Sequence, residues 1–196
     1  MKFTFILFSI LTTLSLFSCN KTESDSAPGE SISPDSVIRR GEYLVNTIGC
    51  RDCHSPKREG PHGPEIIQEL DLSGFQAGSE VPSIDHPNNN NGWILFSPDL
   101  TTAVGPWGQS FAGNITSDAT GIGNWTEENF MRALREGKSK GLPGARDLLP
   151  PMPWFVYKNL SDQDLKAIFA YLQTTPPVQN IVPAPKAPDE LVIKKP

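Results

Sequence analysis

The chain has 196 residues, 17 of them Lys or Arg and 22 Asp or Glu, giving a net charge of −5 at pH 7; this length holds one ordinary domain plus processing segments. The acidic balance excludes a nucleic-acid surface as the main function, because that needs a basic footprint, and it suits a basic partner better than a polyanion. Gly and Pro number 16 and 19 while apolar residues are 37%, so a small core wrapped in much irregular backbone is expected.

Residues 1–18 read as a signal peptide: Lys2, an apolar stretch over 3–17, and Ser18 directly before Cys19. The stretch is too short for a permanent span and runs into Lys21, Glu23 and Asp25, the start of a polar tether over 19–33. Leu16-Phe17-Ser18-Cys19 resembles the bacterial lipobox, in which the chain is cut before a Cys that becomes diacylglyceryl-modified. This resemblance implies lipidation at Cys19 and a membrane-anchored protein on the periplasmic side of a bacterial envelope. Phe17 is larger than the pattern prefers, and simple secretion is the alternative.

Ser33 is placed to cap a first helix, with Pro34 at its first position and Asp35 at its positive end. Val37, Gly41, Leu44 and Ile48 recur on one face with a flat spot at Gly41, and Gly49 stops the helix just before Cys50. Residues 55–113 lack helical periodicity and are punctuated by Gly, Pro and the Asn run 88–91. They read as mostly loop, with Trp93-Ile94-Leu95-Phe96 and Phe111-Ala112-Gly113-Asn114-Ile115 as partners in a short hairpin. So long a loop in a compact domain is expected to be functional or packed on a ligand. Thr126 caps a second helix that carries Phe130 and Leu134 and ends at Gly137; a third starts at Ser161 and presents Leu165, Ile168, Phe169 and Leu172. Beyond Thr175 the prolines make the tail extended, either wrapped over the domain or free. The chain thus divides into a signal peptide (1–18), a tether (19–33), a helical domain (34–175) and a proline-rich tail (176–196).

Cys50-Arg51-Asp52-Cys53-His54 has the CxxCH spacing that attaches a c-type haem. Two thiols three residues apart on one turn reach the two vinyl groups along one porphyrin edge, and the next residue brings an imidazole to the iron. A zinc site would need four ligands, and His62 and His86 form no close pair. A thioredoxin-like dithiol belongs at a helix start in a βαβ unit, whereas these cysteines follow a helix. A disulfide across so short a loop would add little. The expected cofactor is therefore one covalent haem c on Cys50 and Cys53, with His54 as an axial ligand. For the other axial position a thioether is the usual choice in electron carriers. Met152, in Leu149-Pro150-Pro151-Met152-Pro153-Trp154, sits where three prolines restrict the backbone; Met131, His62 and His86 are the alternatives. Gly60-Pro61 and Gly63-Pro64 are candidate carbonyl partners for the second imidazole nitrogen of His54.

Residues 41–54, Gly-Glu-Tyr-Leu-Val-Asn-Thr-Ile-Gly-Cys-Arg-Asp-Cys-His, resemble the opening of class I c-type cytochromes. In these all-α domains an N-terminal helix leads into CxxCH and crosses a C-terminal helix over the haem. Residues 164–172, Asp-Leu-Lys-Ala-Ile-Phe-Ala-Tyr-Leu, resemble the closing helix, with Phe169 and Tyr171 to pack near Gly41. Residues 113–130, Gly-Asn-Ile-Thr-Ser-Asp-Ala-Thr-Gly-Ile-Gly-Asn-Trp-Thr-Glu-Glu-Asn-Phe, resemble a mono-haem branch related to cytochrome subunits of bacterial membrane dehydrogenases. In that branch the Met of Leu-Pro-Pro-Met-Pro-Trp is the distal ligand, which implies Met152. The resemblance implies an all-α, class I fold with a long, mostly irregular insertion between haem motif and second helix. It also implies an electron carrier rather than an enzyme, exchanging electrons with a redox protein donor and acceptor and binding no small-molecule substrate. There is one CxxCH where many dehydrogenase subunits have three, and 55–113 is longer than in minimal carriers, so the partner is not carried over. A haem enzyme or gas sensor with an open distal position is the rival class. Asn114-Ile115-Thr116 and Asn124-Trp125-Thr126 match a glycosylation pattern but read better as a turn and a helix cap. Arg132 and Arg135 could approach a haem propionate, but a solvated helix face is the better reading.

Overall fold

The computed structural model describes residues 33–81 and 93–191; the signal peptide, Cys19, nearly all of the tether and His86 lie outside them. Five helices are found among the described residues: α1 (Pro34–Thr47), α2 (Cys50–His54), α3 (Glu127–Arg135), α4 (Trp154–Tyr157) and α5 (Asp162–Leu172). Five short strands accompany them: β1 (Lys57–Gly60), β2 (Gly63–Ile66), β3 (Leu95–Phe96), β4 (Thr102–Gly105) and β5 (Gly108–Phe111). None of these helices is long and apolar enough to cross a membrane.

The three long helices start where side chains take up orphan backbone donors. Ser33 accepts from Ser36 N–H, Ser161 accepts from Asp164 N–H, and Thr126 forms a reciprocal capping box with Asn129. The Asp164 carboxylate does not complete a box with Ser161. It pairs instead with Arg40 at 2.9 Å, tying α5 to α1, and this pairing holds its pKa below the usual aspartate range. α1 and α5 cross in backbone contact at Gly41, where a Cβ would stand 1.9 Å from the Ala167 carbonyl oxygen and 2.7 Å from Tyr171 Cβ. Tyr171 is therefore at the crossing as expected, but Phe169 is not. Ala167 and Tyr171 share one face at i, i+4, and Phe169 points to the other side, where it stacks on Phe130 of α3 at 5.3 Å between centroids. Leu44 and Val45 of α1, Leu165, Ile168 and Leu172 of α5, and Phe130 and Leu134 of α3 make one apolar core with Leu72 and Ile122 from the connecting segments. Arg132 and Arg135 are not simply solvated: Arg132 donates to the Gly141 carbonyl at 2.9 Å and pairs with Glu128, while Arg135 bonds the Lys158 carbonyl and Asp162, fastening α3 to the start of α5.

The insertion is where expectation and structure differ most. β1 and β2 form an antiparallel hairpin with Lys57 opposite Ile66, and β3, β4 and β5 form a second antiparallel sheet in that order. The direct hairpin between 93–96 and 111–115 does not form, because β4 lies between its two arms, Ala103 facing Phe96 and Thr102 facing Phe111. The fold is thus mostly helical, and the insertion holds two small sheets where a mostly irregular segment with one short hairpin is expected from the sequence. Two- and four-residue strands are too short to print a period-2 pattern, and β4 is buried at every position, so nothing alternates. Residues 176–191 wrap over this region as a strap. Lys186 exchanges backbone hydrogen bonds with Gln109 at 2.9 and 3.0 Å, covering the outer edge of β5, and Leu191 is buried.

The Gly41 crossing gives the first test. Gly41→Ala forces a methyl into backbone and is expected to lower the unfolding free energy by roughly 2–3 kcal/mol, the upper part of the overpacking range. Denaturant titration measures this, and a loss within roughly 0.5 kcal/mol, ordinary for a surface change, would mean the helices can part there.

Candidate functional site

Cys50, Cys53 and His54 all stand on α2, which follows α1 after the two-residue break at Ile48 and Gly49. Both cysteines are free and half-buried. At i and i+3 they share one side of the helix. Burial pushes the Cys50 thiol up to about 11 and raises that of Cys53 as well. A redox dithiol is activated by the opposite shift, toward the thiolate, so the thioredoxin-like alternative loses support. The described residues contain no converging group of three or more His, Cys, Asp and Glu side chains; a zinc site would need ligands from beyond them.

The His54 ring lies with Nδ1 2.7 Å from the Gly113 carbonyl oxygen. Nδ1–H donates to that carbonyl, which leaves Nε2 as the nitrogen able to bind a metal. Burial holds the His54 pKa below its ordinary value, favouring the neutral ring. The carbonyls expected for this role are elsewhere: Gly60-Pro61 and Gly63-Pro64 surround the turn of the β1–β2 hairpin, where Pro61, His62 and Pro64 are exposed.

Gly113 arrives because two remote segments pair beside α2. Gly74 N–H donates to the His54 carbonyl at 2.7 Å, Phe75 N–H to Ala112 at 3.0 Å, and Ile115 N–H to Leu72 at 2.9 Å. The Phe75 and Phe111 rings pack across this seam at 4.7 Å. Gly74 has φ +74°, and a Cβ there would lie 2.3 Å from the Ala112 oxygen and 2.5 Å from the Gly113 oxygen. Only glycine suits that position.

The residues between and after the cysteines hold α2 in place. Arg51 pairs with Asp71 at 2.9 Å and donates to the Tyr171 hydroxyl at 3.0 Å. Asp71 also accepts from the Ser55 hydroxyl at 2.6 Å. Lys57 Nζ donates toward four carbonyls: Asp52 at 2.7 Å, Ser55 at 2.8 Å, Asp99 at 3.0 Å and Arg51 at 3.3 Å. A five-residue helix leaves most of its carbonyls without intrahelical partners, and a cation at its C-terminal end satisfies them and complements the dipole. Nothing in the residue pattern announces Lys57 beyond its place three residues after the motif.

Met152 and Cys50 pack against the same apolar core, in company with Ile115, Trp125 and Met131, all half-buried. The Met152 segment is anchored by the Ser110 hydroxyl, which donates to the Pro150 carbonyl at 2.6 Å, and α4 begins two residues later. Of the alternatives, Met131 lies on α3 against the same core, His62 is exposed at the hairpin turn, and His86 is outside the described residues. The buried Asn114 closes a turn through Thr116 N–H at 3.0 Å.

These residues fit a covalently attached haem. Two thiols stand on one side of one short helix. The neighbouring imidazole has its second nitrogen already engaged, and a group of apolar side chains, Met152 among them, is left partly exposed by the protein alone.

The cytochrome c family model matches residues 38–176. The fructose dehydrogenase cytochrome subunit of Gluconobacter japonicus is 31% identical over 180 residues, covering 91% of this chain and 29% of that protein. The gluconate 2-dehydrogenase cytochrome c subunit of Pantoea cypripedii is 30% identical over 151 residues, 76% of this chain and 26% of that one. The cytochrome c subunit of a quinone alcohol dehydrogenase from Gluconobacter oxydans is 30% identical over 156 residues, 79% and 24% respectively. The chain thus spans less than a third of the length of these relatives.

Lys57→Met removes the cation from four carbonyls, three of them in part-buried bonds and that of Asp52 in an exposed one. An unmet buried acceptor costs about 1–3 kcal/mol, and for these part-buried groups a loss of about 1 kcal/mol is expected by chemical denaturation, with Lys57→Arg restoring part of it. Equal stability of Lys57→Met and the parent would show that the four carbonyls are solvated without it.

Proposed function

The chain belongs to the cytochrome c family, and from that premise we propose that it is a bacterial electron carrier of the class I fold with a single covalent haem c. Cys50 and Cys53 would hold the haem through two thioethers, and His54, through Nε2, and Met152 would bind its iron. The haem, when attached, supplies one reversible ferric–ferrous electron. The chain's own residues do the rest. The Gly113 carbonyl fixes the plane of the His54 ring and makes its ligating nitrogen more basic. The prolines around Met152 limit the backbone that presents the thioether. The apolar side chains around them keep water away, and a His/Met pair favours a higher potential than two histidines.

The observation that supports this reading most directly is the His54 ring, whose Nδ1 is engaged by Gly113 while both cysteines share its short helix. The sequence holds one CxxCH among three cysteines, which supports one haem. The matched relatives are cytochrome subunits of dehydrogenases; by analogy the donor is a dehydrogenase-type redox protein and the acceptor a further redox protein, with no small-molecule substrate at the site itself. In the proposed organisation residues 1–18 are removed, Cys19 carries a diacylglyceryl anchor on the periplasmic side, 19–33 is the tether, 34–175 the cytochrome domain and 176–196 its tail.

Two measurements test this. Mass spectrometry of the mature protein is expected to give one haem adduct on Cys50 and Cys53 and a lipid on Cys19; free Cys50 and Cys53 after coexpression with haem-attachment machinery would refute covalent binding. In visible and near-infrared spectra, a low-spin ferric state with a Met-to-iron charge-transfer band is expected, and Met152→Ala should abolish that band. A high-spin resting spectrum with rapid peroxide turnover would instead establish the haem enzyme with an open distal position.

A further inference from the structure

The strap contains one residue whose contacts lead back to His54. Asn180 is 5% exposed, and its side chain is saturated. Nδ2 donates to the carbonyls of Ser73 at 2.8 Å and Phe75 at 2.9 Å, and Oδ1 accepts Ala77 N–H at 2.9 Å. Its backbone N–H donates to Thr120 Oγ1 at 2.9 Å, and its carbonyl accepts from Asn114 Nδ2 at 3.3 Å. The two carbonyls that the side chain grips lie on either side of Gly74. Gly74 in turn donates its N–H to the His54 carbonyl and lies flat against the Gly113 carbonyl that holds the His54 ring. One amide therefore clamps the single turn that touches both the backbone and the ring partner of the imidazole.

We infer that Asn180 is a positioning residue: by locking the turn at Ser73, Gly74 and Phe75 it fixes the Gly113 carbonyl against His54 and so sets the redox potential of the bound haem. The inference rests on His54 being an axial ligand, as proposed above. A firm hydrogen bond from Nδ1–H gives the ring partial imidazolate character, which stabilises the ferric state. Loosening the carbonyl weakens that bond and favours the ferrous state. The site asks for two donors and one acceptor on a short stem, which Asn supplies; Asp lacks the donors and Ser has only one.

The test uses the full chain with haem attached, comparing Asn180→Ala and Asn180→Ser with Leu191→Ala, a change of a buried strap residue whose side chain makes none of these bonds. Spectroelectrochemistry gives the midpoint potential, and proton NMR of the ferrous protein gives the His54 Nδ1–H resonance. In Asn180→Ala the ferric–ferrous equilibrium is expected to move about threefold toward ferrous, a rise of roughly 28 mV at 59 mV per tenfold for one electron, with the Nδ1–H resonance moving upfield. Asn180→Ser should give a smaller shift in the same directions, and it carries the same readout if the alanine variant does not accumulate as folded protein. Leu191→Ala should lower stability and move neither quantity. Unchanged potential and resonance in the Asn180 variants, or equal shifts in Leu191→Ala, would overturn the inference. A parent protein with no signature of an iron-bound histidine would overturn the functional reading beneath it.

Discussion

The hydrogen bond from the His54 ring to the Gly113 carbonyl is what the middle of the molecule is arranged to make. The two residues are far apart in sequence, and the intervening chain must return to within 2.7 Å. It does so through backbone pairing: His54 with Gly74, Phe75 with Ala112, Leu72 with Ile115, and Thr101 with Ala112. Each such bond contributes about 1 kcal/mol net, against about 1–2 kcal/mol for fixing the backbone of each residue involved. Pairing alone therefore does not hold the loop. The difference is met by burial of Leu72, Phe75 and Ile122 and by the strap, which bonds to the loop from outside.

Charge at the haem motif is arranged by the same logic of local need. α2 is too short to satisfy its own carbonyls, and Lys57 supplies the missing donors from the first residue of β1, including one bond to Asp99 beside the second sheet. Among the described residues Lys57 has no carboxylate at salt-bridge distance, and burial lowers its pKa. Burying an ammonium costs free energy unless hydrogen bonds compensate, and here the compensation comes from carbonyl dipoles. Arg51 is treated differently, neutralised by Asp71, whose second role is to accept from Ser55. Although the whole chain is acidic, two cations serve this helix, Arg51 from within it and Lys57 at its C-terminal end.

The helices were legible in the sequence because their signals are carried by side-chain type. Ser33, Thr126 and Ser161 cap, Gly49 and Gly137 stop, and Leu165, Ile168 and Leu172 repeat at helical spacing. CxxCH was legible for the same reason. The partner of His54 was not, because a carbonyl is common to every residue; the proline argument pointed to the wrong turn, one close in sequence but at an exposed hairpin tip. Gly74 and Gly113 stood in the sequence only as punctuation, and their contact is visible only when two segments meet. Strand order failed for a related reason, since β4, the buried middle strand, has no pattern of its own. The tail was open between free and wrapped. Its prolines make it extended, but Asn180 and Lys186, which fasten it, look like ordinary polar residues in a polar segment.

The two proposed axial ligands come from opposite ends of the domain, yet their supports converge on one short piece of chain. Ser110, in β5, donates to Pro150 beside the Met152 turn. Gly113, three residues on, receives the His54 ring. Between them Ala112 is paired with both Phe75 and Thr101, and the outer edge of β5 is covered by Lys186. An electron carrier works best when its ligand set keeps the same geometry in both oxidation states, since any rearrangement adds to the barrier of transfer. A single strand end that steadies both sides supplies that rigidity. On this view the insertion and the strap are the outer layers of the site: the sheet fixes the strand end, the strap fixes the sheet and the Gly74 turn, and the ligands inherit their geometry from both.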